Sequence, residues 1–270
     1  MLYVVATPIG NLKDITFRAV EVLKEVDLVL AEDTRTSGVL MRKYGIETEM
    51  KSFHKFNEKG REDEVVGLLE SGTRVALISD AGTPGICDPG AGLIRRCREA
   101  GVNVEVVPGP CAIVAALSLY GSEERFQFVG FLEKKGKKQL IDIIYYPGLT
   151  VAYESPHHLM KTLEWMNDVA PEKKIFIARE LTKMHEETLE GTAQELITHF
   201  QKKKILGEYV LIFEGNENPF DQEPKELMED LQHRFEISTK EALTAAAKLL
   251  NQPKRKLYDD LYRGGAEGGS

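Results

Sequence analysis

The stretch ISDAGTPGICDPG, Ile78 to Gly90, sets two carboxylates, Asp80 and Asp88, in a run rich in glycine and proline. The apolar, β-leaning RVAL leads straight into it, so the run follows a strand. Three further stretches read as strand ends: ATPIGN (Ala6 to Asn11), AEDTRT (Ala31 to Thr36) and VPGPCA (Val107 to Ala112). Glycine lets a backbone approach a ligand closely, and proline fixes a loop in advance. Four such loops in one region predict a small-molecule site. The dinucleotide pattern G-x-G-x-x-G and the triphosphate pattern G-x-x-x-x-G-K-[ST] are both absent. No lysine lies in SDAGTPG, and Asp80 would repel a phosphate. A carboxylate suits a cation, an ammonium or ribose hydroxyls. S-adenosylmethionine offers ribose hydroxyls, an α-ammonium and a sulfonium without phosphate, so the charge argument favours it. The competing reading is that Asp80 and Asp88 cap turns or helices.

The elements that must hold these loops alternate. LYVVA, DLVLAED, RVALISD and VNVEVVPG read as strands. DITFRAVEVLKEV, RTSGVLMRKYG, GREDEVVGLLESG, AGLIRRCREAG and GPCAIVAALSLYG read as helices. The alternation predicts a mostly parallel sheet with helices on both faces, and ligands bind outside the carboxyl ends of such strands. A second α/β region has strands at FQFVGF, LTVAYES, KIFIAREL, EETLEG and GEYVLIFEG, in a mixed sheet. Its helices are KKQLIDIIYY, HHLMKTLEWMND and AQELITHFQKKK. NENPFDQEPKE reads as a linker, and the segment after it as two helices broken at NQP. Ser238 and Glu241 form a capping-box pattern at the first of these. The expected organisation is an N-terminal α/β domain over 1–120, a second over 121–217 and a two-helix C-terminal domain over 224–263. The last is either a helix-turn-helix or a plain helical hairpin.

Composition narrows the function classes. The 270 residues, 42% hydrophobic and 29% charged, suit a globular protein. No apolar run is long enough to span a membrane, and the N-terminus lacks the form of a secretion signal. The three cysteines, Cys87, Cys97 and Cys111, have no metal-binding spacing and are expected to be reduced thiols. A net charge of −8 argues against nucleic acid bound over the whole surface but allows a local basic patch.

VVATPIGNLKDIT, LAEDTRTSGVL, ISDAGTPGICDPG, VPGPCAIVAALSLYG, YESPHHL and ARELTKMHEE occur in that order. Together they closely resemble the ribosomal RNA small subunit methyltransferase I family, of the tetrapyrrole-methylase-like methyltransferases. The resemblance runs from about Leu2 to Gly215, and the helical tail resembles the family's small C-terminal domain. It implies two α/β domains of the tetrapyrrole methylase type with S-adenosylmethionine in the cleft between them. It also implies a homodimer, a cytoplasmic location, no metal, and 2′-O-methylation of a cytidine in the decoding region of 16S rRNA in the 30S subunit. Cys87 stands where serine is expected, and His158 where arginine is common.

Methyl transfer to a ribose hydroxyl needs alignment and a base or a cation that stabilises the alkoxide. The candidates are Asp33, beside Glu32 and Arg35, then Glu180 after Arg179, and Lys183. Each has a structural alternative in an ion pair or a phosphate contact. Cofactor contacts are expected at Pro8, Asp80, Gly82, Thr83, Cys111, Ala112 and Gly207, with Tyr153 and Ser155 from the second domain. RNA contacts are expected at EKKGKK (Glu133 to Lys138), KKK (Lys202 to Lys204) and PKRK (Pro253 to Lys256). Two other functions stay open on the residues alone: methylation of a tetrapyrrole or other small substrate, and non-enzymatic nucleic-acid binding through the helical tail. A nucleotide-dependent oxidoreductase is disfavoured by the missing fingerprint.

Overall fold

The structure is a computed structural model that describes residues 1–133, 138–215 and 217–263. The chain forms two compact units. The first comprises Met1–Leu119 and Glu180–Glu186, and the second Tyr120–Arg179 and Glu187 onward.

The first unit runs β1 (Leu2–Val5), α1 (Phe17–Glu25), β2 (Leu28–Ala31), α2 (Thr34–Tyr44), β3 (Met50–Ser52), α3 (Glu58–Glu70), β4 (Val75–Ile78), α4 (Ala91–Glu99), β5 (Val104–Val107) and α5 (Ala112–Tyr120). The strands make one parallel sheet in the order β3-β2-β4-β1-β5. Alternate strand residues feed two cores, as a sheet buried on both faces requires. Leu28, Leu30, Val75 and Leu77 pack with Val65 and Leu69 of α3 and Leu93 and Cys97 of α4. Val29, Ala31, Ala76 and Ile78 pack with Ala19 and Leu23 of α1 and Met41 of α2. The helix after β1 therefore covers one face, and the helix after β4 covers the other. Because β1 and β4 are neighbours, their carboxyl ends form a switch point, where open sheets leave a crevice for ligands. The short edge strand β3, MKS, has too little apolar pattern to be read from sequence.

The second unit runs β6 (Phe126–Phe131), α6 (Gln139–Ile144), β7 (Leu149–Glu154), α7 (Leu159–Val169), β8 (Lys174–Arg179), β9 (Glu187–Thr192), α8 (Ala193–Phe200), β10 (Tyr209–Glu214), α9 (Pro224–Phe235), α10 (Thr239–Leu249) and α11 (Lys254–Tyr262). Its sheet has the order β6-β7-β10-β8-β9 and is mixed, with only β6 and β7 parallel. Among the described residues the tail holds three helices, where two were expected. Part of the stretch read as linker begins α9, with Pro224 in its first turn, where a missing N–H costs nothing. The capping box of Ser238 and Glu241 starts α10 as expected.

The tail packs into the core of the second unit. Leu227, Met228, Leu231 and Phe235 of α9 share one cluster with Leu159 and Leu163 of α7 and with Leu211 and Phe213 of β10. Arg234 donates to the Val169 carbonyl at 2.7 Å and pairs with Glu217 at 2.9 Å, tying α9 to the end of α7. Leu231 is fully buried, so Leu231→Ala is expected to lower stability by about 3 kcal/mol. The single tryptophan, Trp165, packs against the same cluster, so its fluorescence in urea reads the effect. A Trp165 transition unmoved by this substitution would show that the tail folds independently.

Candidate functional site

The loops after β1, β4 and β5 are stitched together at the switch point. The Thr7 amide donates to the Gly82 carbonyl at 2.9 Å, and the Gly82 amide returns a bond to the Thr7 carbonyl at 3.1 Å. The buried Thr7 hydroxyl donates to the Ser79 carbonyl at 3.0 Å, and the Ser79 hydroxyl to the Gly82 carbonyl at 3.2 Å. Gly82 has φ of +78°, a left-handed conformation that a side chain would strain. The Thr83 hydroxyl reaches the Pro110 carbonyl at 3.5 Å, drawing in the loop after β5. Six candidate cofactor residues, Pro8, Asp80, Gly82, Thr83, Cys111 and Ala112, thus lie on three joined loops. Ala112 opens α5, whose first turn leaves N–H groups free of intrahelical partners and suited to a carboxylate.

Carboxylates crowd the same edge. The Asp80 carboxylate accepts from the Asp33 amide at 3.0 Å, and Glu32 accepts from the Asp80 backbone. The loops after β2 and β4 therefore hold each other through exchanged backbone–carboxylate bonds. Burial pushes the Glu32 carboxyl above the usual range, and Asp88 and Asp80 add to the effect. Burial also raises the Asp80 carboxyl. Asp33 is different. It caps α2 through the Arg35 amide at 2.8 Å and pairs with the Arg35 guanidinium at 2.6 Å, which holds its carboxyl down at about 2. The structural alternative for Asp33, an ion pair, is thus the one it makes, with Arg35. A carboxylate so weakly basic, with both oxygens engaged, is a poor proton acceptor, and the geometry gives Asp33 a structural role.

Glu180 and Lys183 come together. After Arg179 the chain leaves the second unit, contributes Glu180–Glu186 to the first and returns at Glu187. Glu180 and Thr182 adopt φ of +52° and +65° in this segment, conformations a side chain takes only under constraint. The constraint is visible. The Glu180 carboxylate meets the Lys183 ammonium at 2.8 Å, and Glu186 accepts from the Thr182 amide at 2.6 Å. The Thr182 hydroxyl accepts from the Asn11 amide at 2.9 Å, docking the segment on the loop after β1. Gly10 makes the docking possible, since a Cβ there would lie 2.5 Å from Lys183 Cγ and 2.8 Å from the Leu181 carbonyl.

Tyr153, Ser155 and Gly207 belong to the second unit. Tyr209 pairs with both Glu154 and Arg179, so the carboxyl ends of β7 and β8 and the start of β10 lie at one sheet end, with Ser155 and Gly207. Arg179 Nε donates to the Leu206 carbonyl at 2.9 Å, and the Tyr153 ring packs edge-on to Phe128. Glu154, missed in the sequence, is 4% exposed. It accepts from the Thr162 hydroxyl at 2.6 Å and the Ser155 amide at 2.7 Å, fixing the turn that carries Ser155.

Of the basic clusters, residues 134–137 lie outside the described residues, and Lys138 pairs with Glu241 at 3.1 Å. Lys203 pairs with Glu187 at 2.7 Å, and Lys254 donates to the Thr244 hydroxyl at 2.6 Å. Lys202, Lys204 and Lys256 are exposed.

Gly10→Val is expected to expel Glu180–Glu186 from the first unit while leaving its sheet intact. Hydrogen exchange at Asn11 and Thr182 should accelerate at least tenfold, with the amides of β1 and β4 unchanged. Unaltered exchange at both would show that the segment does not depend on Gly10.

The comparisons agree with this architecture. Residues 1–197 match the family of tetrapyrrole (corrin/porphyrin) methylases. Relatives named ribosomal RNA small subunit methyltransferase I include one from Thermotoga maritima, 44% identical over 80% of this chain and 99% of its own length. Another, from Bacillus subtilis, is 39% identical over 96% of this chain and 93% of its own. Among solved structures, cobalt precorrin-4 methyltransferase aligns with a TM-score of 0.63 at 16% identity, over 79% of this chain and 94% of that one. Uroporphyrin-III C-methyltransferase of Thermus thermophilus gives 0.59 at 21%, over 79% and 93%, and both show a shared fold. Switch-point loops, matched family and full-length relatives lead to one conclusion: the chain belongs to the ribosomal RNA small subunit methyltransferase I family of tetrapyrrole-type methylases.

Proposed function

We propose that the protein methylates the 2′-oxygen of a cytidine ribose in the decoding region of 16S rRNA. S-adenosylmethionine is the methyl donor and the 30S subunit the substrate. The observation that carries the reading is the joined, acidic edge of the first unit with Glu180 and Lys183 docked onto it. Glu32, Asp80 and Asp88 offer acceptors to ribose hydroxyls and counter-charge to an ammonium or a sulfonium. The loop after β4 has no basic residue to hold a phosphate. The backbone at Gly82 and the start of α5 complete the first unit's cofactor contacts.

The cofactor supplies an activated methyl group on a positively charged sulfur. This chain supplies the rest. A ribose hydroxyl holds its proton tightly at neutral pH, so the acceptor oxygen needs a partner for its developing charge. Lys183 offers a fixed ammonium for that oxygen, and Glu180 holds the ammonium in place and takes the proton. The strained turn and the Gly10 contact keep the pair from drifting, and positioning is where most of the barrier is removed. We further infer that the protein acts as a homodimer in the bacterial cytoplasm, where its substrate is assembled. No helix among the described residues is long and apolar enough to cross a membrane.

Transfer of tritiated methyl groups to 30S subunits from cells lacking this modification tests the reading. Labelled ribose-methylated cytidine is expected. Labelling of a porphyrinogen with none on 30S subunits would overturn it. Lys183→Met is expected to lower kcat by about a hundredfold or more with unchanged S-adenosylmethionine affinity. An unchanged kcat would remove Lys183 from the reaction.

A further inference from the structure

Large apolar side chains left in water forgo about 2 kcal/mol each, and isolated examples are ordinary on any surface. Here their placement is not scattered. Among the described residues, Phe56, Met184 and Phe17 are the most exposed large hydrophobics, at 96%, 92% and 90%. All three belong to the carboxyl edge of the parallel sheet. Phe17 starts the helix after β1, Phe56 lies in the turn after β3, and Met184 lies in the segment that Gly10 and Asn11 receive.

Phe56 is held out by a rigid turn. Phe53 is fully buried, and its amide bonds the Ala31 carbonyl at 2.8 Å, anchoring the turn next to Glu32. Asn57 closes it. The Asn57 Oδ1 accepts from the His54 amide at 2.8 Å, its Nδ2 reaches the Ser52 carbonyl at 3.3 Å, and Arg61 donates to that same carbonyl. The His54 ring meets Phe56 edge to face with centroids 6.1 Å apart, and its Nδ1 is buried without a hydrogen-bond partner among the described residues. Lys55, next to Phe56, is exposed and has no ion-pair partner among the described residues, whereas Lys59 lies past the turn in α3, lining a cleft with Glu58 and Glu62. A fixed aromatic face beside an exposed cation is what an unstacked base and its phosphate recognise.

We propose that the Phe56 turn is a stacking platform for an unpaired base of the substrate RNA, with Lys55 on the adjoining phosphate. The inference rests on the assignment of RNA as substrate. It places one RNA contact on the first unit, whereas the three lysine clusters marked in the sequence belong to the second.

The test compares Phe56→Ala, Phe56→Tyr and Lys55→Gln with the unaltered protein. Phe56→Ala should raise KM for 30S subunits about fivefold or more, leave S-adenosylmethionine affinity and kcat unchanged, and leave the salt dependence of binding as it was. Phe56→Tyr should keep KM within about twofold, since it keeps the ring face. Lys55→Gln should reduce the salt slope by about one. A KM unaffected by Phe56→Ala, or a loss of cofactor affinity in step with it, would overturn the platform. A second readout does not depend on methylation: quenching of 2-aminopurine in a single-stranded RNA by the unaltered protein and not by Phe56→Ala. Quenching without transfer to 30S subunits would leave the platform standing and refute the proposed reaction. Transfer with quenching equal in both proteins would refute the platform alone.

Discussion

Two backbone hydrogen bonds between Thr7 and Gly82 organise the first unit's working edge. They join loops that leave neighbouring strands toward opposite faces of the sheet, where connections would otherwise splay apart. Their geometry requires the left-handed conformation of Gly82, and the buried hydroxyls of Thr7 and Ser79 supply the remaining donors. From this pairing the rest follows in steps. Pro8 and Ile9 continue from Thr7, Gly10 receives the Glu180–Glu186 segment, and Thr83 draws in the loop after β5. Each step adds a group to the edge without a long side chain having to reach for it. A site assembled by backbone pairing is pre-organised, so little ordering remains to be done when a ligand arrives.

The electrostatics of the edge set its chemistry. Burial and mutual repulsion raise Glu32, and burial raises Asp80, so these carboxylates carry negative charge at an energetic cost that a cationic ligand would relieve. Asp33 shows how finely this is divided. One residue along from Glu32, it is neutralised by Arg35 and spent on capping a helix. Adjacent acids thus sit in opposite environments, one raised by burial and one held down by its ion pair. An S-adenosyl cofactor suits such an edge, whereas a nucleotide phosphate does not.

Much of this was legible in the sequence because it is local. Alternating apolar runs announced the parallel sheet, and glycine–proline loops at strand ends announced the edge. The missing parts depend on contacts between residues far apart in the chain. Gly10 reads as one more loop glycine until Lys183 is seen against it, a separation of 173 residues that no pattern encodes. Glu154 looks like the polar end of a strand, and its burial is evident only once Thr162 turns back on it. The helix α9 was hidden by two prolines nearby, although its buried residues Leu227, Leu231 and Phe235 keep a helical spacing. Nor does a charge run show which of its members are engaged. Lys138, Lys203 and Lys254 each have a partner, whereas Lys55, without an ion-pair partner among the described residues, stands in no conspicuous cluster.

A Thr7–Gly82 edge that holds a phosphate-free, cationic adenosyl cofactor must discriminate among ligands by charge. Calorimetric titration of the purified protein with S-adenosylmethionine, and with ATP and NAD as controls, tests it most directly. Saturable binding of S-adenosylmethionine is expected, with none of either phosphate-bearing ligand. Binding of ATP or NAD in its place would contradict it.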